Sequence, residues 1–561
     1  MQISQEQQAK NWWAEGDTPV RNDSRVTYLV DGRTAMLMMC HHFIKAKRYI
    51  YLGNWGLTAG MELVRGTDHR AGPDGSPAQE ELLANLRGDG FQEADINFWL
   101  THDLSVEAVL GYAVSKGVEV KVLLWKSLAG SHCNLEEAHE RLTAAGVVCI
   151  LDDSSIGLVH HPVESLHQKI TIIDGAHAFV GGVDPLIEKE GEYDRWDMHS
   201  HPFSTPLRQT SEGITPHPWH DAHALIEGPA ASDVELNFRQ RWNDVVERHH
   251  WDKNLLLSEH PLPPAVATRT ISQVARTIPE HTYHFRPLII RGIAQFYEHA
   301  LSNIQEFVYL ENQYLWIHAF TGIDIPFIGL DNPEMEQNIR LMGKALQRGA
   351  SLSIILPDHP NAGRAFSDAG LTRLRAEAPQ AVEEGRLQAF TLATSTRMDG
   401  IERYRPIYVH AKVAIVDDAW TTVGSANLNN RGMRDDTEMN VATLDPEAAH
   451  ALRLMLQGEH LGLIHDDDLL ALTRLRSGAY QSQKYREQAL RVVPYLQETL
   501  SDPLVALHMM HERAWENLRR YKAKQSLPGH LLPYLTADEA VQQGLNFAEE
   551  HGWIEEPENR G

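Results

Sequence analysis

The chain has 561 residues, 42% of them hydrophobic and 23% charged, the balance of a globular protein with ample core and length enough for two to four domains or two large repeated lobes. Its 51 Lys and Arg against 76 Asp and Glu leave a net charge of −25, which argues against a general nucleic-acid binder and against broad adhesion to anionic lipid. Cys40, Cys133 and Cys149 are an odd set without paired spacing, so neither a disulfide framework nor a zinc site is indicated.

In chain order, Met1 to Val20 lacks a basic region followed by an apolar core, so no Sec signal peptide is expected. No run approaches the roughly 18 apolar residues of a membrane span. A helix over Thr34 to Lys47 leads into a strand at Arg48 to Trp55. A second helix over Val109 to Lys116 stops at Gly117, and the strand Val118 to Trp125 follows. Next comes Leu166-His167-Gln168-Lys169-Ile170-Thr171-Ile172-Ile173-Asp174, whose β-branched and apolar character predicts a strand with His167 and Lys169 on one face. A Gly, Gly181, stands seven residues after Asp174. The Pro-rich stretch Ser258 to Val266 reads as a connection.

The same series then recurs. A helix near Gly292 to Ser302 precedes a strand at Phe307 to Tyr314, and a helix from Glu334 to Arg348 ends at Gly349 before the strand Ser351 to Leu356. The motif returns as Val409-His410-Ala411-Lys412-Val413-Ala414-Ile415-Val416-Asp417, again with a Gly, Gly424, seven residues on. One copy alone reads as an ordinary core strand with a stray histidine; two copies with matched glycines point to a cleft shared by two lobes. The expected fold class is therefore α/β, with two pseudo-repeated lobes of mixed sheet flanked by helices and the site at their interface. The boundaries fall at a short segment 1–29, a first lobe 30–257, a second lobe 258–445 and a helical region 446–561. In that last region Leu469 to Arg476, Tyr485 to Leu500 and a helix opened by Asp502-Pro503 through Met509 to Tyr521 show helical spacing. Balanced charges on their polar faces favour a cover on the lobes over an amphipathic membrane anchor.

These residues resemble the phospholipase D superfamily, whose mark is His-x-Lys-(x)4-Asp in each of two lobes, and within it the eukaryotic-type enzymes. The resemblance runs from about residue 30 to 535. It rests on Ala178 to Asp184, Gly191-Glu192-Tyr193-Asp194, Pro218-Trp219-His220-Asp221, Ile226 to Ala230 and Asn237 to Trp242. The second half adds Tyr309 to Tyr314, Gly424 to Arg431, Asp436 to Val441 and Gly529 to Tyr534. Ahead of residue 30 nothing resembles the calcium- or phosphoinositide-binding module such enzymes often carry, so calcium dependence is not expected.

The chemistry follows from the residue types. Displacement at a phosphodiester needs a nucleophile, a proton for the leaving alkoxide and cations around the nonbridging oxygens, which two imidazoles and two lysines supply without a cofactor. The symmetric spacing leaves open which histidine attacks; the resemblance implies His167 as nucleophile and His410 as acid, with Lys169 and Lys412 on the phosphate. Asp174 and Asp417 complete the catalytic motif, but as residues at strand turns they are expected to orient rather than to transfer protons. Ser425 and Asn427 could donate to phosphate; their first-lobe counterparts are Gly182 and Asp184, an acid that would repel it, so the role is confined to the second lobe. Asn427 could equally stabilise a turn. The resemblance implies that Glu438 accepts from a catalytic imidazole and fixes its tautomer, with Asp197 or Asp194 as the first-lobe equivalent. Trp219-His220-Asp221 reads either as cleft wall or as a packed Trp beside a hydrogen-bonded His.

The resulting expectation is a phospholipase D that converts glycerophospholipids at a membrane surface into phosphatidic acid and a head-group alcohol through a phosphohistidine, with transfer to alcohols. Alternatives are a phosphatidylserine- or cardiolipin-synthase-like transferase, a nuclease of the superfamily, which the acidic charge opposes, and a lipid-binding scaffold, which the complete motifs oppose. The expected location is the cytoplasm, or export without a signal peptide as a type VI effector, in which case secretion machinery or an immunity protein would be partners. Export under inducing conditions, measured against a cytosolic marker, separates the two.

Overall fold

Two sheets with the same strand order and the same strand directions carry the chain. The computed structural model describes residues 10–70, 77–126, 135–156, 164–188, 193–210, 216–286, 288–318, 332–358, 364–477 and 483–545. Cys133 and the Gly191-Glu192 pair lie outside them. The first sheet runs, edge to edge, Arg25–Val30, Ala222–Glu227, His177–Gly181, Ile170–Ile173, Tyr49–Asn54, Glu119–Trp125 and Val148–Asp152. In the second, Ile271–Ile278, Glu438–Leu444, Trp420–Gly424, Val413–Val416, Phe307–Glu311, Ser351–Ile355 and Leu387–Met398 take the same places in turn. Ile290–Arg291 and Ile401–Pro406 extend its edges.

In each sheet the Lys-bearing segment leads into a central strand, antiparallel to a neighbour that is itself parallel to the next strand. The strands of this middle are almost wholly buried, as their Val/Ile/Leu runs require once helices cover a face. Matched helices follow: Asp31–Lys45 with Gly292–Ser302, Val106–Ser115 with Pro333–Gln347, and Ala231–Arg248 with Pro446–His460. Gly117 and Gly349, just past two of them, take φ of 86° and 107°, the left-handed backbone that ends a helix cheaply only at glycine. Ser105 and Asn332 cap the starts of that pair. The lobes share core: Val413, Ile415, Val423 and Met439 belong to the cluster built around the first sheet.

Three expectations change. His167, Lys169, His410 and Lys412 precede the strands, which begin at Ile170 and Val413. The reason is that the backbone there is engaged between lobes: Leu166 bridges Thr437, and Tyr408–Val409 pairs in parallel with Trp219–His220. The first lobe starts earlier than residue 30, because the strand Arg25–Val30 closes its sheet against Ala222–Glu227. The C-terminal region is not purely helical, since Leu531–Pro533 adds a strand to Leu387–Met398. Its helices Asp466–Ser477, Gln483–Leu500 and Pro503–Lys522 pack on the lobes through Leu469, Leu496 and Met510.

Candidate active site

The two inter-lobe bridges place the histidines. The His167 amide donates to the Thr437 carbonyl at 2.9 Å, and the His410 amide donates to that of His220 at 2.8 Å. Each bridge sets the histidine against the residue that follows its partner. Nδ1 of His167 therefore meets the Glu438 carboxylate at 2.9 and 3.1 Å, and Nδ1 of His410 meets Asp221 at 2.7 Å. Each lobe thus lends a carboxylate to the other lobe's imidazole. The Nδ1–H donated to that carboxylate leaves Nε2 as the reactive atom of both rings, and the ring centroids stand 6.4 Å apart.

Asp221 answers the question left open between Asp197 and Asp194, and it is neither. Asp197 accepts from Nε of Arg208 at 3.1 Å and from the Trp219 amide at 2.8 Å, and it meets His201 Nδ1 at 3.1 Å. Asp194 pairs with Arg65. Asp221 fits against Gly182, where a Cβ would lie 2.0 Å from its Oδ1. The matching second-lobe residue is Ser425, whose hydroxyl accepts from the Met439 amide at 3.0 Å and donates to the Met439 carbonyl at 3.3 Å. Ser425 is thus fastened to the backbone of the strand Glu438–Leu444, next to the carboxylate that holds His167. Asn427 is buried with Oδ1 free of a hydrogen bond.

Asp174 and Asp417 stand apart from the imidazoles. At the far end of their strands, at φ 53° each, they accept from successive backbone amides. Asp174 takes those of Lys47, Arg48 and Tyr49, and Asp417 those of Gln305, Glu306 and Phe307. Each fastens the start of the neighbouring central strand. Five residues of extended chain separate each from its lysine, roughly 16 Å.

The lysines differ. Lys169 donates to the His167 carbonyl at 2.8 Å and pairs with Asp184 at 3.1 Å, so Asp184 neutralises a cation rather than facing a phosphate alone. Lys412 donates to the His410 carbonyl and to Gln313 Oε1, the latter at 3.2 Å. Burial, then the two lysines, depress the His167 imidazole well below its ordinary value; burial, Lys412 and Arg195 do the same to His410. Burial also pushes the Glu438 and Asp221 carboxyls up and both lysines down.

Two arginines escaped sequence reasoning as site residues. Arg195 stacks over Trp219 with its guanidinium carbon 4.3 Å from the ring and lies 5.5 Å from the Trp55 ring. Arg431, held by Asp436 at 2.8 Å, adds positive potential at His167. Their signal was present: Arg195 directly follows Tyr193-Asp194 and Arg431 ends the Gly424 to Arg431 segment. Trp55, 6.0 Å from the His167 ring, and Trp219, buried 4.8 Å from that of His410, flank the two imidazoles.

The chain is similar to known proteins over most of its length. A family model described as "Phospholipase D" matches residues 102–322, and one described as "Cardiolipin synthase, PLD-like domain" matches 318–458. Phospholipase D alpha 1 of Zea mays is 25% identical over 618 aligned residues, covering 89% of this chain and 69% of that protein. The Arabidopsis thaliana protein of the same name is 24% identical over 606, covering 87% and 68%. Among solved structures, phosphatidylserine synthase of Haemophilus influenzae Rd KW20 is similar with a TM-score of 0.43 at 15% identity, over 89% of this chain and 95% of that one. Nuc of Salmonella typhimurium, a phospholipase D family member, gives 0.22 at 17% identity, over 34% and 93%.

Proposed function

The chain belongs to the phospholipase D superfamily, and from that premise we propose that it is a phosphodiesterase cleaving glycerophospholipids to phosphatidic acid and a head-group alcohol. The observation that carries the reading is the facing pair His167 and His410, each tied through Nδ1 to a carboxylate of the opposite lobe. In the proposed reaction His167 Nε2 attacks phosphorus, the bond to the head-group oxygen breaks, and His410 gives that oxygen a proton. Water then attacks the phosphohistidine, loses a proton to His410, and the P–N bond breaks, restoring both imidazoles. Lys169, Lys412, Arg195 and Arg431 supply positive charge where the nonbridging oxygens gain negative charge, so no step is routed through a cofactor. The burial that keeps both imidazoles neutral means an anionic diester brings the field that favours protonating one of them.

The lipid assignment draws on the relatives named phospholipase D. The test is mass spectrometry of products from mixed phospholipid vesicles. Phosphatidic acid should accumulate with the native chain and be lost with either His167→Ala or His410→Ala, the double variant being little worse. Substantial turnover by either single variant would mean two independent sites. Release of nucleotides from DNA or RNA, with lipids untouched, would move the protein to the nuclease reading.

A further inference from the structure

The strand Leu387–Met398 outruns its sheet. It pairs in parallel with Ser351–Ile355, itself parallel to Phe307–Glu311, and the last matched residues are Glu311, Ile355 and Phe390. Past that line it continues from Thr391 to Met398, roughly 25 Å, and returns as Ile401–Pro406. The edge it leaves is the one that carries the site: Gln313, which holds Lys412, follows Glu311 there, whereas Asp417 binds the opposite end of Phe307–Glu311. The base of this hairpin is close to the chemistry, since the Ile407 amide donates to the Leu392 carbonyl three residues before His410. Resting on the reading of a lipid substrate, we propose that the hairpin and the end of the helix Pro503–Lys522 form the surface through which the protein docks on an anionic phospholipid bilayer.

The apex is apolar and preformed. Met398 and Ile401 are cross-strand partners joined by Asp399-Gly400, whose φ of 51° and 80° are those of a two-residue type I′ turn. Partners across a hairpin share a face, so two large apolar side chains stand together at the tip, 48% and 54% exposed. The fold leaves this pair in water, and entry into the boundary between head groups and acyl chains buries it.

The other face of the hairpin is basic. Ser395 and Arg397 alternate with the apex residue Met398 and, with Arg520, Lys524 and Ser526, line an open groove of about 480 Å³. Hairpin and helix end are fastened together: the Tyr404 hydroxyl donates to the Gln525 carbonyl at 2.8 Å, and the Leu527 amide donates to Ser395 Oγ at 2.9 Å. The Lys524 ammonium lies 5.4 Å from the Tyr521 ring and 5.8 Å from that of Tyr404, which fixes where its charge is presented. Residues 395–403 and 519–526 hold six Lys and Arg and two carboxylates, in a chain of net charge −25.

Charge decides both the occupant and the orientation. Each Lys or Arg brought against an anionic leaflet strengthens binding roughly fivefold, while the acidic remainder of the chain is repelled by it. Adhesion is thereby confined to this patch, and the protein settles with the site-bearing edge of the second sheet toward the lipid. A soluble phosphate compound would use the basic groove alone; an apolar apex beside that groove suits a bilayer, which offers phosphate and hydrocarbon at successive depths.

Binding is read by sedimentation with sucrose-loaded vesicles of phosphatidylcholine, with or without phosphatidylglycerol, using the full-length chain carrying His167→Ala so that the lipid is not consumed. Affinity should be about tenfold higher with phosphatidylglycerol and should fall as salt is raised. Adding Arg397→Gln with Lys524→Gln should cost about twentyfold on the anionic vesicles. Adding Met398→Ser with Ile401→Ser should cost about tenfold or more on both kinds. With His167 native, both double variants should keep kcat on a short-chain phosphatidylcholine below its micelle concentration, while losing about tenfold in rate on anionic vesicles. Affinities of both variants within about twofold of the parent, or a parent that sediments no better with phosphatidylglycerol than without it, would overturn the proposal. If the native chain cleaves dispersed lipid but does not sediment, the docking surface falls and the phospholipase reading stands. If the parent sediments through these residues yet the native chain cleaves no lipid, the surface stands and that reading falls. Should the apex variant not fold, the charge variant decides.

Discussion

Asp221→Asn removes the charge behind His410 while keeping shape and one hydrogen bond. In the proposed cycle the His410 imidazole carries a positive charge at some stage whichever role it plays, and Asp221 Oδ2 then faces it across 2.7 Å. At an effective dielectric of about 20 that pair interacts by about 6 kcal/mol. The hydrogen bond that asparagine can keep reduces the loss to roughly 3–4 kcal/mol, or about 10²–10³-fold in kcat. Glu438→Gln should act similarly on His167, and the double variant should fall short of the product of the two losses. The assay is steady-state hydrolysis of phosphatidylcholine in mixed micelles, with thermal unfolding alongside to show that Tm stays within a few degrees. Retention of more than a tenth of kcat by Asp221→Asn, or a loss confined to KM, would refute the cross-lobe pairing as part of the chemistry.

The remaining expectations concern other links in the argument. Asp417→Ala strips three amides of their acceptor and should lower unfolding free energy by about 2 kcal/mol in a denaturant titration, while kcat of the folded fraction stays within a few-fold of native. An ethanol or butanol titration should yield phosphatidylalcohol at the expense of phosphatidic acid, as a phosphohistidine open to any hydroxyl requires; chromatography showing only phosphatidic acid would favour direct attack by water. Because burial and the lysines hold both imidazoles below 6.5, the singly protonated pair gains population as pH falls. The kcat/KM profile should therefore peak on the acid side of 6.5, and an optimum above pH 8 would contradict this. Stability should also fall with acid: His223, pushed by burial down to about 3, stays neutral in the fold yet takes a proton on unfolding. Its contribution is present above 6.5 and is lost as pH drops toward 3, by up to about 1.4 kcal/mol per pH unit; circular dichroism melts from pH 7 to 4 measure it.

The duplication was legible because a repeated strand carries its own register: His410, Lys412 and Asp417 keep the spacing of His167, Lys169 and Asp174. The helix Pro333–Gln347 was legible from the glycine that stops it, Gly349. What spacing could not give is the pairing between lobes. Glu438 follows Asp417 by 21 residues, but Asp221 follows Asp174 by 47, because the first lobe inserts the segment bearing Asp197 and His201. The nearest acids along the chain were therefore the wrong counterparts.

The charges of the candidate site also show how a protein of net charge −25 can admit an anionic diester. Most of its cations are already matched: Lys169 by Asp184, Arg431 by Asp436, and Arg195 by Glu188 at 3.0 Å. Both imidazoles have their carboxylates. Among the described residues Lys412 stands without a carboxylate in contact, its ammonium held by the Gln313 amide oxygen and the His410 carbonyl. A buried ammonium in that state is penalised by desolvation, which is why its proton is held weakly. In the proposed reaction an arriving phosphodiester would supply the missing negative charge and relieve the penalty carried by the free site. On the first-lobe side Lys169 is already neutralised by Asp184, so that side has no unmatched cation to offer a second negative charge. The arrangement favours a monoanionic diester over a dianionic monoester, in keeping with the proposed reaction, whose lipid product is a monoester that must leave.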